Sequence, residues 1–445
     1  MRSTLLLCIF PGLFLLLLLP LCFAGADKSA STISDLPPGA QAVVATAMPE
    51  PQIEYSLTQG VWAQLAELTV SNSIYSGPQL GTSVAITGNI VVMGTPYGGT
   101  AGAVYVYVKP RTGWSNLSQS AVLVPSDGQD SCDNFGSSIS VSGNTVVVGA
   151  SQSNPNCISN GPGSAYVFVE PPGGWSGQIT ETAKLTASDG AVGDALGSSV
   201  AISGNTVVAG QPGGTTSAGY VFVMPATGWT SMTQTAKLTS TSDVHLGVAV
   251  AISGNTAAVT ASGAVDVYVE PSGGWVNTTQ TARLTASQGG LGPTVGISGN
   301  TVVAGAPTIN SYEGAAYVYV EPAGGWRDMT ETAMLTPPGG RAGDSFGSSV
   351  AISGDRAALG APYYARGYIL YSDYPAFWRE GAVYVFSKTA KGWDPASVSV
   401  ARMNGADARY DALLGTSVGI SGNLVVTGAP YLGHYSGSTY IFGVQ

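Results

Sequence analysis

The sequence predicts an all-β protein, a seven-bladed β-propeller of four-stranded blades closed by an N-terminal strand that joins the last blade. Three observations predict it. The run Gly-x-Ser-Val-Ala-Ile-Ser-Gly-Asn-x-Val-Val-x-Gly-Ala-Pro recurs seven times along the 445 residues, at constant internal spacing. Each recurrence is followed by a Tyr- and Val-rich run and, in six of them, by a Trp. The last copy stops at Gln445 before its fourth strand, while a spare strand-like segment, residues 62–70, precedes the first copy. An incomplete blade leaves unpaired backbone on a sheet edge, and the spare segment is the strand that completes it.

Composition agrees with this reading. The chain has 61 Gly, and its charged content of 9 % is far below the roughly 25 % of an ordinary soluble domain. With 16 basic against 26 acidic residues the net charge is −10, a balance that repels phosphate backbones and anionic lipid heads. Nucleic acid is excluded as a partner. The 44 % hydrophobic content suffices for a large core.

Residues 1–26 read as an export signal. Arg2 supplies the positive start, the run from Leu5 to Phe23 is almost wholly apolar, and Ala24-Gly25-Ala26 offers small residues for cleavage. A retained membrane anchor is the competing reading, because the run nearly spans a bilayer. Pro11, Pro20 and the small-residue exit favour cleavage, and no second apolar run of that length follows. The expected location is therefore secreted or cell-surface, with no membrane insertion of the mature chain. Cys8 and Cys22 leave with the signal. Cys132 and Cys157 remain, an even pair in an oxidising compartment that reads as a disulfide. Residues 27–59, rich in Ala, Ser and Pro without sustained period, read as a flexible linker.

The propeller occupies residues 60–445. In its first repeat, residues 83–87 alternate small and branched side chains, Gly88-Asn89 is a two-residue turn, and residues 90–93 are apolar, which makes a tight hairpin of strands A and B. Strand C follows at residues 103–108, then Trp114 and strand D. Equivalent tryptophans are Trp175, Trp229, Trp275, Trp326 and Trp393, whose one fixed position marks an inter-blade core residue rather than a sugar platform.

Phe135-Gly136 with Gly149-Ala150, and Phe346-Gly347 with Gly360-Ala361-Pro362, resemble the FG-GAP repeat of integrin α-subunit propellers and of many exported bacterial proteins. The resemblance spans residues 60–445 and implies the fold more than an activity. Leu80, Leu196, Leu246, Leu291 and Leu414 stand where the motif has Phe, and copy four ends in Thr260-Ala261-Ser262. Integrin-type repeats often carry an acidic calcium loop between strands A and B. Here that loop is as short as Ser-Gly-Asn, unable to supply the six to eight oxygens that Ca²⁺ takes, so neither calcium nor any other cofactor is carried over.

In an up-and-down blade the A–B and C–D turns share one end, and the B–C and D–A loops share the other. The hairpin spacing is constant, whereas the stretch after strand B runs from 9 residues in copy four to 27 in copy six. Variable loops on a constant scaffold are where binding is usually placed, with neutral drift as the alternative. Cys132 and Cys157 lie at this end. The longest loop holds Tyr363, Tyr364, Tyr368, Tyr371, Tyr374, Phe377 and Trp378 with Arg366 and Arg379, and the neighbouring blade contributes Arg409, Tyr410, His434 and Tyr435. Aromatic and Arg side chains anchor binding surfaces and stack on sugars. The candidate ligand-binding set is Tyr364, Arg366, Tyr371, Tyr374, Trp378, Arg379, Arg409, Tyr410, His434 and Tyr435. Mutual packing that stabilises a long loop is the competing role.

Catalytic signals are weak. Gly343-Asp344-Ser345-Phe346-Gly347 and Gly415-Thr416-Ser417-Val418-Gly419 match a serine-hydrolase elbow, but they lead into strand A rather than from a strand into a helix. Asp133, Asp194, Asp344 and Asp411 recur before strand A, a pattern that fits turn capping better than a cation site or an acid–base pair. His245 and His434 have no metal-ligand spacing. Asn116-Leu117-Ser118 and Asn277-Thr278-Thr279 are glycosylation sequons. The expectation is an exported, monomeric, non-enzymatic binding or adhesion propeller without catalytic or metal-binding residues, its partner a glycan or an extracellular protein. A polysaccharide hydrolase or lyase, which needs converging acids at the rim or channel, and a structural cell-surface component are the alternatives.

Overall fold

The computed structural model describes residues 62–71, 79–96, 102–127, 133–152, 161–214, 217–241, 245–371, 374–406, 411–432 and 436–444, the side chains of 366–378 excepted. They form seven sheets arranged as the blades of a propeller. Blade one runs Ser83–Thr87, Ile90–Thr95, Ala103–Val108 and Ala121–Val124 as strands A to D, each antiparallel to the next. Strand B reaches two residues beyond the expected end because strand C pairs with it as far as Thr95 opposite Ala103. The first residue of every A–B turn is a Gly at positive φ, 51–58° from Gly88 to Gly422, a conformation that disfavours any side chain although space for one exists.

The ring closes as expected. Trp62–Thr69 pairs antiparallel with Ser438–Val444, Glu67 opposite Tyr440, and so becomes strand D of blade seven. The seventh inter-blade tryptophan, absent after the last strand C, is Trp62, packed against the core between blades six and seven where Met403, Leu414 and Tyr440 lie. The other six hold corresponding places, as Trp229 does beside Leu185, Leu196 and Tyr220.

Five of the seven sheets have a fifth strand that the sequence reading did not include. The connector after each of the first five of these tryptophans, Trp114 to Trp326, steps out and pairs, in parallel, with the outer edge of the preceding blade, as Leu117–Ser118 does with Leu68 and Thr69. Side-chain acceptors bracket the pairing. Asn116 Oδ1 accepts the Glu67 N–H at 2.8 Å and Gln119 Oε1 the Ser71 N–H at 3.1 Å; Asn277 with Gln280 and Asp328 with Glu331 repeat the device. The two sequon asparagines thus hold a structural position that Ser231 and Asp328 fill elsewhere.

The serines of the repeat join the blades nearer the axis. Ser83 Oγ donates to the carbonyl of Gly136 in the next blade at 2.7 Å, and Ser417 Oγ closes the circle on Gly81 at 2.7 Å. The second serine accepts instead, Ser203 Oγ from the Gly254 N–H at 3.0 Å. This contact explains the last Gly of the motif, because a Cβ on Gly94 would lie 2.2 Å from the Gly136 carbonyl oxygen. Blade four has lost both partners together: Ala249 replaces the donor serine, and Thr260 Oγ1, in place of the Gly, donates to the Ala249 carbonyl and accepts its N–H.

Candidate functional site

The seven A strands line a central cavity of about 230 Å³. Among the described residues its walls are Val, Ile, Ala and Gly, with Ser140 as the hydroxyl, and Ser140 Oγ accepts the Ile202 N–H. That lining supplies no acid, base or charge.

The two ends of the propeller differ in chemistry. B–C loops of one blade meet the D–A loop leading into the next, through backbone bridges such as Gly163 with Leu196, Gly314 with Phe346 and Gly381 with Leu414. At this end, blades five and six present the exposed aromatic side chains among the described residues, Tyr312 at 58 % and Tyr363 at 38 %. Their backbones flank one segment: Gly343 and Ser345 donate N–H groups to the Tyr312 carbonyl, and Tyr363 donates its own to Asp344 O. Asn310, Ser311 and Tyr312 all take positive φ, 51°, 58° and 66°, a left-handed turn made without glycine. Backbone held in this way persists only where its surroundings over-determine it, and such turns concentrate at functional positions. Sequence reading missed Tyr312, because no Gly or Pro marks the turn.

The long B–C insertion of blade six is a β-hairpin, Ala365–Tyr371 with Tyr374–Arg379, rather than an irregular loop. Of the ten sequence-predicted binding residues, two have described side chains. Arg379 is exposed and sits 5.3 Å over the Tyr363 ring. Tyr364 is buried, and its hydroxyl accepts from Arg402 Nη1 at 2.7 Å. Arg366, Tyr371, Tyr374 and Trp378 lie on the hairpin with side chains outside the described set. Arg409, Tyr410, His434, Tyr435, Cys132 and Cys157 lie outside the described residues.

Two of the aspartates before strand A cap their own loops, and a third reaches the loop after strand B. Asp194 Oδ2 accepts the Ala191 N–H at 2.7 Å and Asp344 Oδ2 the Arg341 N–H at 2.9 Å, both turn caps, while Asp133 Oδ1 accepts from Gln152 Nε2 at 3.0 Å. Burial pushes the Asp344 carboxyl up to about 6, against the opposing pull of Arg341. The acids earlier in the same loops behave differently. Asp189 accepts the Tyr220 hydroxyl at 2.9 Å and pairs with Lys237 at 2.6 Å; Asp127 does the same with Tyr166 and Lys184. The hydrogen bond from Lys237 holds Asp189 below its ordinary value; for Asp127, burial pulls upward and the bonds from Lys184 and Tyr166 outweigh it.

Ser417 uses its hydroxyl on Gly81, and Ser345 occupies a left-handed turn position that Asn134 and Ala195 share, so neither sits in an elbow. Among the described residues there is no cluster of three His, Cys, Asp or Glu placed to hold a metal, and no helix is long and apolar enough to cross a membrane.

Residues 117–168, 179–224 and 329–386 match the FG-GAP repeat family. Each match begins at or near a connector and runs into strand C of its blade or the next. The chain matches no curated protein.

Proposed function

We propose that this chain, whose FG-GAP repeats build a seven-bladed propeller, is an exported, non-enzymatic binding module that contacts a glycan through the B–C and D–A loop end of blades five and six. The observation that carries the reading is the pairing of exposed Tyr312 and Tyr363 across one backbone segment, with the Arg379 guanidinium over the second ring. Two aromatic rings and a cation at the mouth of a rigid scaffold offer stacking area with few rotors to immobilise. The apolar channel speaks against chemistry at the axis, where an acid–base pair would be needed. The test is a glycan screen with the full chain and with Tyr312→Ala and Tyr363→Ala variants. Binding that falls about tenfold or more in either variant, with unfolding unchanged, supports the reading, since one stacking ring contributes on the order of 1 kcal/mol or more. Hydrolysis of a bound polysaccharide would replace it with the enzymatic alternative.

A further inference from the structure

In blades two, three and six, strands C and D share one register, so Tyr166 faces Lys184, Tyr220 faces Lys237 and Tyr384 faces Arg402. The preceding D–A loop decides what each Tyr–cation pair holds. In blades two and three, the residue four after the strand D leucine is an acid, Asp127 after Leu123 and Asp189 after Leu185. One oxygen of that carboxylate accepts the Tyr hydroxyl and the other accepts the Lys ammonium.

Blade six keeps the loop length and loses the acid. Residues 335–344 align with residues 185–194 without a gap, and Gly339 stands where Asp189 would. Asp344 aligns with Asp194 and caps the same turn in the same way; its charge reaches Tyr384 and Arg402, but its hydrogen bond goes to the Arg341 N–H rather than to either of them. Tyr364 engages one nitrogen of Arg402 and leaves the rest of the guanidinium fork. The Tyr384 hydroxyl, in a side chain 1 % exposed, finds no acceptor for its proton among the described residues; its nearest charged neighbour is Arg402, which can only donate. Loss of the acid does not by itself orphan the tyrosine: in blade five, Tyr317 gives its hydroxyl to the backbone carbonyl of Gln288, the residue at the same loop position. A buried hydroxyl left without an acceptor costs stability unless something else accepts from it.

We propose that Tyr384 and Arg402 form a carboxylate-binding site, and that the group it takes is the carboxylate of an acidic sugar. The carboxylates held at the matching place in blades two and three are 40 % and 47 % exposed, so in those blades that place opens to solvent. Arg in place of Lys suits an incoming ligand, since a planar fork grips a carboxylate through two parallel bonds. Tyr364 continues into Tyr363, whose exposed ring and Arg379 lie on the same loop and accommodate the sugar body. The choice of a sugar rests on the glycan reading above; the carboxylate site does not.

The experiment uses the full chain and two probes. Millimolar acetate, read as a rise in unfolding temperature, tests the carboxylate alone, and a galacturonate oligomer compared with its methyl ester tests the sugar. The expected result is an acetate-dependent rise in the wild type that disappears in Gly339→Asp, where the chain supplies its own carboxylate. The oligomer is expected to bind at least about tenfold more tightly than its ester, and Tyr384→Phe to lose about tenfold while unfolding no earlier than the wild type. Gly339 takes φ 69°, a conformation Asp189 does not share, so Gly339→Asp carries backbone strain; if it fails to fold, or folds with its acetate response intact, Tyr384→Phe carries the comparison. An equal acetate response in wild type and both variants overturns the site. A response confined to the wild type, with oligomer and ester bound alike, keeps the carboxylate site and overturns the acidic sugar as its ligand, while the glycan reading falls only if the screen with Tyr312→Ala and Tyr363→Ala fails.

Discussion

The carboxylate of Asp189 ties three parts of the ring together: it belongs to the loop leaving blade two, and it grips a hydroxyl on strand C and an ammonium on strand D of blade three. Removing the hydroxyl by Tyr220→Phe is expected to cost about 1 kcal/mol, since the bond goes to a charged but half-exposed acceptor. Denaturant unfolding reads it, and no loss would mean that solvent replaces the bond. Asp344 sets a different pH signature. Its folded carboxyl titrates near 6 rather than at the ordinary 3.8, so the folded chain holds that proton more tightly than the unfolded one. Its contribution to stability is therefore present at about pH 4 and lost as pH rises through 6. Asp127 and Asp189, with lowered values, contribute above the ordinary carboxylate range and lose that contribution as pH falls. Asp344→Asn keeps an oxygen for the Arg341 N–H without titrating. It should gain on the wild type at pH 7 relative to pH 4.5, and parallel pH profiles for the two proteins would refute this. At this scale the sequence was partly legible: turn capping by Asp194 and Asp344 followed from their recurrence. Arg402 and Tyr384 stayed hidden, because their meaning depends on cross-strand register and on what a neighbouring loop omits.

Among the strands, the seams between blades are not equivalent. The outer edges of blades one to four and of blade seven are covered by a parallel connector, whereas Ala333–Leu335 of blade five has no fifth strand beside it. Two residues account for this. Pro338 stands where the other blades offer the second bracketed N–H, and Asp394 folds the blade-six connector into a turn by accepting the Ala396 N–H at 3.0 Å. Amide exchange at Met334 should therefore outpace that at the matching Lys184 and Lys237, whose N–H groups are bonded to Ser231 and Asn277. Equal protection would show that the connector does not govern edge opening. The axial serine bonds are expected to contribute about 1 kcal/mol each, so Ser349→Ala should lower stability by about that amount. Strands A to C were readable from turns and β-branched runs to within two residues. The connectors were not, because two-residue strands have no period, and their Asn, Ser, Gln and Glu brackets look like ordinary surface polarity.

For the molecule as a whole, closure was legible from strand arithmetic, and the count of seven blades with a terminal strand borrowed from the other end holds. What the arithmetic missed was that the borrowed segment also brings the seventh tryptophan. Trp62→Ala should cost about 2 kcal/mol, the order expected for a large, half-buried ring. A substitution without effect on thermal unfolding would mean that the seam between blades six and seven holds without it. The candidate site emerged less completely: the blade-six insertion stood out in the sequence by its length and aromatic content, yet its hairpin form and the position of Tyr312 in blade five appear only once the ring places adjacent loops together.

The pairing of Trp62–Thr69 with Ser438–Val444 also orders events in time. On the ribosome Trp62–Thr69 emerges hundreds of residues before Ser438–Val444, so for most of synthesis its antiparallel edge is unpaired and the faces of Ala66 and Leu68 stay uncovered. The nascent chain cannot finish its circle until Ser438–Val444 has emerged, and any co-translational stacking of early blades leaves the last seam to be sealed after that.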